Sequence, residues 1–177
     1  VLVVNDVFAV YNKCGTQLHQ ASLSTLTNLS VFLFDPKVVY DEWDDRWILS
    51  FAAKNTPTNE AWIVLCVSAG STPMGLGSFW WYNYIWTNNG GWWGDYPDLG
   101  CDPDAVYLTT NDFNWASPAG FVRARITCLD KAEIYAAGSS FRDDFYAMTN
   151  PGDGTLAFAI RAAEMNSDPG KYLLVNS

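Results

Sequence analysis

Asp44-Asp45-Arg46-Trp47-Ile48-Leu49-Ser50 is an acidic turn that runs into an aromatic residue and then into apolar and hydroxyl side chains. The same progression returns in Asp102-Pro103-Asp104-Ala105-Val106-Tyr107-Leu108-Thr109-Thr110 and in Asp168-Pro169-Gly170-Lys171-Tyr172-Leu173-Leu174-Val175. Asp, Pro and Gly supply turn chemistry, and the segments after them suit a pleated, half-buried strand. Tyr107 follows Trp47 by 60 positions and Tyr172 follows Tyr107 by 65. Because the apolar run Val38-Val39-Tyr40 leads into the first of these turns, the unit reads as a hairpin with a nearly fixed period.

A second family of strands runs between the hairpins: Phe8 to Lys13, Ile63 to Ser68 and Arg125 to Lys131. Aligning Tyr11, Val67 and Leu129 gives steps of 56 and 62, close to the first period. A repeat of about 60 residues holding two hairpins is what one four-stranded propeller blade requires. The fold class expected is therefore all-β, with antiparallel four-stranded blades forming about three blades of a β-propeller. Residues 1–20 read as the second hairpin of a blade, 35–85 and 95–140 as blades, and 155–177 as the first hairpin of another. Three blades do not close a ring, so the chain is expected to be a partial propeller or half of a six-bladed ring. A two-sheet sandwich could hold the same strands but would not require the period. Helical periodicity is confined to Leu129 to Ala137, enough for one short turn.

The composition agrees with strands: 49% of residues are hydrophobic and 16% aromatic, against 16% charged. A net charge of -9 argues against nucleic acid, whose binding needs a basic face. No apolar run reaches the roughly 18 residues of a membrane helix. The opening Val1-Leu2-Val3-Val4 is no signal peptide, and the missing initiator Met leads us to expect processing or truncation upstream. Cys14, Cys66, Cys101 and Cys128 show no zinc spacing, which leaves two disulfides or free buried thiols, with disulfides preferred.

Three stretches, Phe8–Thr16 (FAVYNKCGT), Asp35–Ser50 (DPKVVYDEWDDRWILS) and Asp95–Phe113 (DYPDLGCDPDAVYLTTNDF), resemble a group of secreted bacterial proteins with propeller-like repeats and largely uncharacterised function. The resemblance spans most of the chain. It implies a central part of a longer protein with a leader peptide and sometimes surface anchors, and hence an extracellular or cell-surface location. Its motifs mark blades, so no catalytic residue is carried over from it.

The densest aromatic segment runs from Phe79 to Trp86 and is followed by Asn88, Asn89 and Trp92-Trp93-Gly94-Asp95-Tyr96. Indole faces flanked by Asn and Asp suit sugar rings, which are apolar on one face and polar around the edge. Alternate aromatics such as Trp80, Tyr82 and Tyr84 are expected to fill the space between blades. Trp92 and Trp93, beside two glycines in an apparent loop, are the better ligand candidates, with Trp86, Asp95 and Tyr96. Carboxylates gather in turns, and Asp41, Asp44 and Asp45 are candidate ligands for calcium, a hard cation that takes six to eight oxygens. Asp is also a common turn residue, and no calcium-loop spacing is present. The lone histidine, His19, sits in no catalytic signature, and GxSxG is absent. Asn28-Leu29-Ser30 fits the glycosylation pattern by chance.

These readings favour a binding or assembly module without catalysis, with a glycan as ligand and with the missing propeller remainder or a second copy of the chain as partner. No cofactor other than calcium is expected. The alternatives are a polysaccharide-cleaving propeller, which needs two carboxylates flanking a sugar bond, and a self-assembling structural protein.

Overall fold

The computed structural model describes residues 1–74, 79–85, 91–138, 142–146 and 148–163, with 79–85 and 142–143 described as backbone. The strands form three antiparallel sheets, none closed into a barrel. The first is a meander of β1 (Leu2–Val4), β2 (Val7–Tyr11) and β3 (Gln17–Ser22). A short helix, α1 (Leu23–Thr27), leads from it to β4 (Phe32–Asp41), β5 (Arg46–Asn55), β6 (Glu60–Ser68) and β7 (Phe79–Ile85), which make the second sheet in chain order. The third repeats that order with β8 (Trp92–Cys101), β9 (Ala105–Asn114), β10 (Phe121–Asp130) and β11 (Arg142–Tyr146), with helix α2 (Lys131–Tyr135) before the last strand.

Local chemistry explains the turns and caps. Asn5 and Asp6 join β1 to β2 as a two-residue loop with Asn5 at a φ of 51°, a conformation that Asn tolerates and such hairpins need. Helix α1, which hydropathy did not mark, is started by the Ser22 hydroxyl accepting from the Thr25 amide at 3.1 Å. Helix α2 falls inside the expected helical stretch, capped by Asp130 accepting from the Glu133 amide at 3.0 Å.

Layering follows from the apolar pattern of the middle sheet. In β5 and β6 apolar side chains occupy both faces, as in strands covered on each side. Leu49, Phe51, Ala53, Val64 and Cys66 pack against Phe8, Val10, Leu23 and Leu26 of the first layer. Ile48, Ala52, Ile63, Leu65 and Val67 pack against Leu99, Cys101, Val106, Leu108 and Leu129 of the third. Each fully buried Leu, Ile or Phe contributes about 1.5–3 kcal/mol, so these interlayer clusters hold the sheets together. The far face of the third sheet, with Ala124 and Ile126, is covered by Ala157 and Ile160 of the following segment. There Gly100 is required, because a Cβ on it would meet the Ala163 carbonyl oxygen at 2.4 Å.

The first strands of the two four-stranded sheets share an irregularity. Register shifts between Phe34 and Lys37 in β4 and between Asp95 and Asp98 in β8. Asp35 and Tyr96 stand at φ of 48° and 51°, each followed by proline. Proline has no N–H for a ladder and is confined to edge strands or bulges, and both strands lie at an edge of their sheet.

Two expectations are corrected here. The preferred disulfides do not form: all four cysteines are free. Cys66 lies between the first two sheets, Cys101 between the second and third and Cys128 on the far face of the third, while Cys14 is exposed in the β2–β3 turn. Intact sheets separate them. Trp92 and Trp93 are also not in a loop; they open β8, paired with Asn114 and Phe113. The stretch Phe79–Ile85 is a strand in which Trp80, Tyr82 and Tyr84 pair with Val67, Leu65 and Ile63. Trp86 and the Asp168–Val175 stretch lie outside the described residues. Among the described residues, no helix is long and apolar enough to cross a membrane.

Candidate functional site

The acidic turn between β4 and β5 is occupied by a cation of the protein's own. Lys131, first residue of α2 and only 2% exposed, reaches from the third sheet to the second. Its ammonium lies 2.7 Å from Asp41 Oδ2 and 2.8 Å from Asp44 Oδ2, and donates to the Asp102 carbonyl at 2.9 Å. Tyr135 donates its hydroxyl to Asp41 at 2.5 Å, and the Arg46 guanidinium stands 4.8 Å above the Tyr135 ring. Burial alone would lower the Lys131 pKa, but hydrogen bonds and charge from Asp41 and Asp44 outweigh it and raise it. Burial and the bond to Asp41 push the Tyr135 hydroxyl up. Asp45 accepts instead from the Tyr40 hydroxyl. The carboxylates considered for calcium are thus engaged by Lys131, Tyr135 and Tyr40, and no group of three or more His, Cys, Asp or Glu among the described residues has the arrangement of a metal site.

The indole candidates are likewise engaged. The Trp93 Nε1–H donates to the Asn114 carbonyl at 3.1 Å, and its ring stacks on Phe113 with centroids 5.2 Å apart. The Lys54 ammonium from the middle sheet sits 3.6 Å from the Trp93 centroid, a cation–π contact that ties two layers together. Trp92 carries the Arg123 guanidinium at 4.3 Å, and the same guanidinium lies 4.0 Å from the Tyr146 ring. Arg123 and Arg125 both hold the fully buried Asp112, at 2.9 and 2.7 Å. These rings are built into packing, and each carries a cation. His19 is half-buried, tilted against Phe8 at 5.6 Å.

Asp95 and Tyr96 have a different setting. The paired bulges bring Asp95 of β8 near Asp35 of β4. Burial, then the charge of Asp35 and its hydrogen bond, raise the Asp95 pKa, only partly offset by the Tyr96 amide and Lys54. Tyr96 is 40% exposed, and its hydroxyl accepts from Arg161 at 2.9 Å. Lys37 pairs with the largely buried Asp98 at 3.0 Å. Asp35, Lys37, Tyr96 and Asn5 line a cavity of about 250 Å³ with Pro36, Pro97 and, at the end of β1, Val3 and Val4. All three sheets contribute a wall.

Of the sequence candidates, the structure places Tyr96 on this cavity, with Asp95 next to it in β8, and leaves Trp92, Trp93, Asp41, Asp44 and Asp45 in packing networks. Sequence reasoning missed Asp35, Lys37, Asn5 and Arg161. The available signal was the proline that follows Asp35 and Tyr96, 61 positions apart. Comparison with protein-family models, curated proteins and solved structures gives no match.

Proposed function

We propose that the layers are successive units of a β-propeller and that the chain is a secreted or surface-displayed carbohydrate-binding module whose ligand sits in the cavity at Tyr96. Support for the propeller reading comes from the identical strand order of the two four-stranded sheets and their matching first-strand bulges. The binding reading is carried by one observation: a part-exposed tyrosine beside the Asp35 carboxyl in a cavity walled by three sheets. The ring offers an apolar face to a pyranose, and the carboxyl oxygens accept from vicinal hydroxyls.

Affinity electrophoresis on a panel of neutral polysaccharides tests this with wild type, Tyr96→Ala and Asp35→Asn. Retardation of the wild type, weakened about tenfold in either variant, is expected. Equal mobility of all three proteins with and without every polysaccharide ends the proposal.

The raised pKa of Asp95 is the one feature that favours a glycoside-cleaving alternative. Glycosidase carboxyls stand about 5–5.5 Å apart in retaining enzymes and about 6.5–9.5 Å apart in inverting ones. Among the described residues Asp35 is the one carboxylate that lines the cavity, which favours binding over cleavage. Release of reducing ends that is lost in Asp35→Asn would reverse that preference.

A further inference from the structure

Each seam inside the molecule is built the same way, with the opening strand of one layer lying across the sheet before it. Leu33 and Val38 of β4 pack among the side chains of the first sheet, and Leu99 and Cys101 of β8 against the middle one. Ala157 and Ile160 take the same position on the third sheet. The Ala159 amide donates to the Asn111 side chain at 2.9 Å and the Ile160 carbonyl accepts from the Thr109 hydroxyl at 2.6 Å, which fixes the segment there. Ala159 stands at a φ of 54°, 63 positions after Tyr96, which follows Asp35 by 61. Residues 156–163 are thus placed as a further first strand, yet among the described residues they belong to no sheet, and their one bridge joins Leu156 to Thr149.

The first sheet has the converse shape. It holds three strands, with β1 at its edge and, among the described residues, no counterpart of β4 or β8 beside it. The two end faces of the stack are apolar as well. Phe8, Val10 and Val3 turn toward the middle sheet, so alternation puts Leu2 on the outer face, where it is 50% exposed. At the other end Phe145 of β11 lies directly opposite Ile126, on the face that Ala157 and Ile160 cover only in part, and is 47% exposed.

Resting on the reading of the layers as propeller units, we infer that two copies of this chain close one ring, head to tail. Residues 156–163 of each copy serve as the first strand beside β1 of the other, and the far face of each third sheet packs on the outer face of the other's first sheet. The joint repeats the seams already inside the chain, and it removes an open strand edge and two apolar faces from water. A head-to-tail contact closes a ring when its rotation allows, and two copies of three layers give six units, within the roughly four to eight of closed propellers.

Sedimentation equilibrium of the whole chain tests this with wild type, Leu2→Glu and Phe145→Glu. Wild type is expected at twice the 19.7 kDa of one chain, and either variant alone at the mass of one chain. An equal mixture of the two variants retains one intact joint, between the unaltered third sheet of one and the unaltered first sheet of the other. It is expected to pair about a hundredfold more weakly than wild type, having lost the avidity of the second joint. Both substitutions are at half-exposed positions, and unchanged melting temperatures check that the fold is kept. A wild type at the mass of one chain, a variant that stays paired or a mixture that does not pair overturns the joint, and leaves the units and the Tyr96 site of the single chain standing. Masses that climb through higher multiples overturn ring closure and the propeller reading together.

Discussion

Asp35 and Asp95 lie 60 positions apart, and each is drawn from a strand that a proline has bent. The raised pKa of Asp95 gives the site a pH dependence whose sign can be stated. The folded state holds the proton on Asp95 more tightly than the unfolded chain does. Its contribution to stability is therefore complete below the ordinary carboxyl value of about 3.9 and is lost as pH rises through the raised value. Above that, two carboxylates repel. Asp95→Asn keeps a donor toward Asp35 and removes the repulsion, so it is expected to melt higher than wild type at neutral pH, by about 2–4 °C for each ~1 kcal/mol relieved. The difference should vanish near pH 4. Calorimetric melting curves across that range check it, and a variant that melts lower at neutral pH would overturn it.

At the level of elements, α2 and the β4–β5 turn act as one clamp. Asp41 is fully buried, and its charge is balanced by Lys131. Removing one partner of a buried pair leaves the other charge uncompensated, which costs about 3–5 kcal/mol. Lys131→Met should lose about that much in urea unfolding, whereas Asp44→Asn, whose side chain is 48% exposed, should lose about 1 kcal/mol or less. The pH signature is opposite in position to that of Asp95. Because the folded pKa of Lys131 is raised, its contribution is complete below the ordinary lysine value of about 10.4 and fades as pH rises through the folded one. Asp102 extends the clamp: burial would raise its pKa, but hydrogen bonds from Tyr107, Ala105 and Asp104, with Lys131 nearby, hold it low. That part is retained down to acid pH and lost as pH falls through the lowered value.

At the scale of the whole molecule, layering controls which side chains meet solvent. Each sheet shields the cluster beneath it, so the four thiols are expected to differ in reactivity. Cys14 should label at once with a disulfide reagent, Cys128 slowly, and Cys66 and Cys101 only on unfolding; burial raises the Cys66 pKa and suppresses its thiolate. Denatured protein that has never met a reductant should return four reactive thiols. A lower count would mean that a bridge forms across sheets that stand intact here.

The antiparallel strands and their turns were legible in the residues themselves. Trp47-Ile48-Leu49-Ser50 after an acidic turn, and the apolar run of β6, state strand and burial through side-chain chemistry that acts over a few positions. The proline after Asp35 and after Tyr96 likewise stated a bulge, had it been read. Which charges meet was not legible. Lys131 and Asp41 are 90 positions apart, and Asp44 reads equally well as a calcium ligand or a turn cap until α2 places an ammonium against it. Trp92 and Trp93 read as free sugar platforms until Arg123 and Lys54 lie on them. Local order depends on backbone conformation and on the alternation of neighbouring side chains, both written in sequence. The site depends on which sheet faces which, and that is decided by the burial of apolar surfaces brought together from distant parts of the chain.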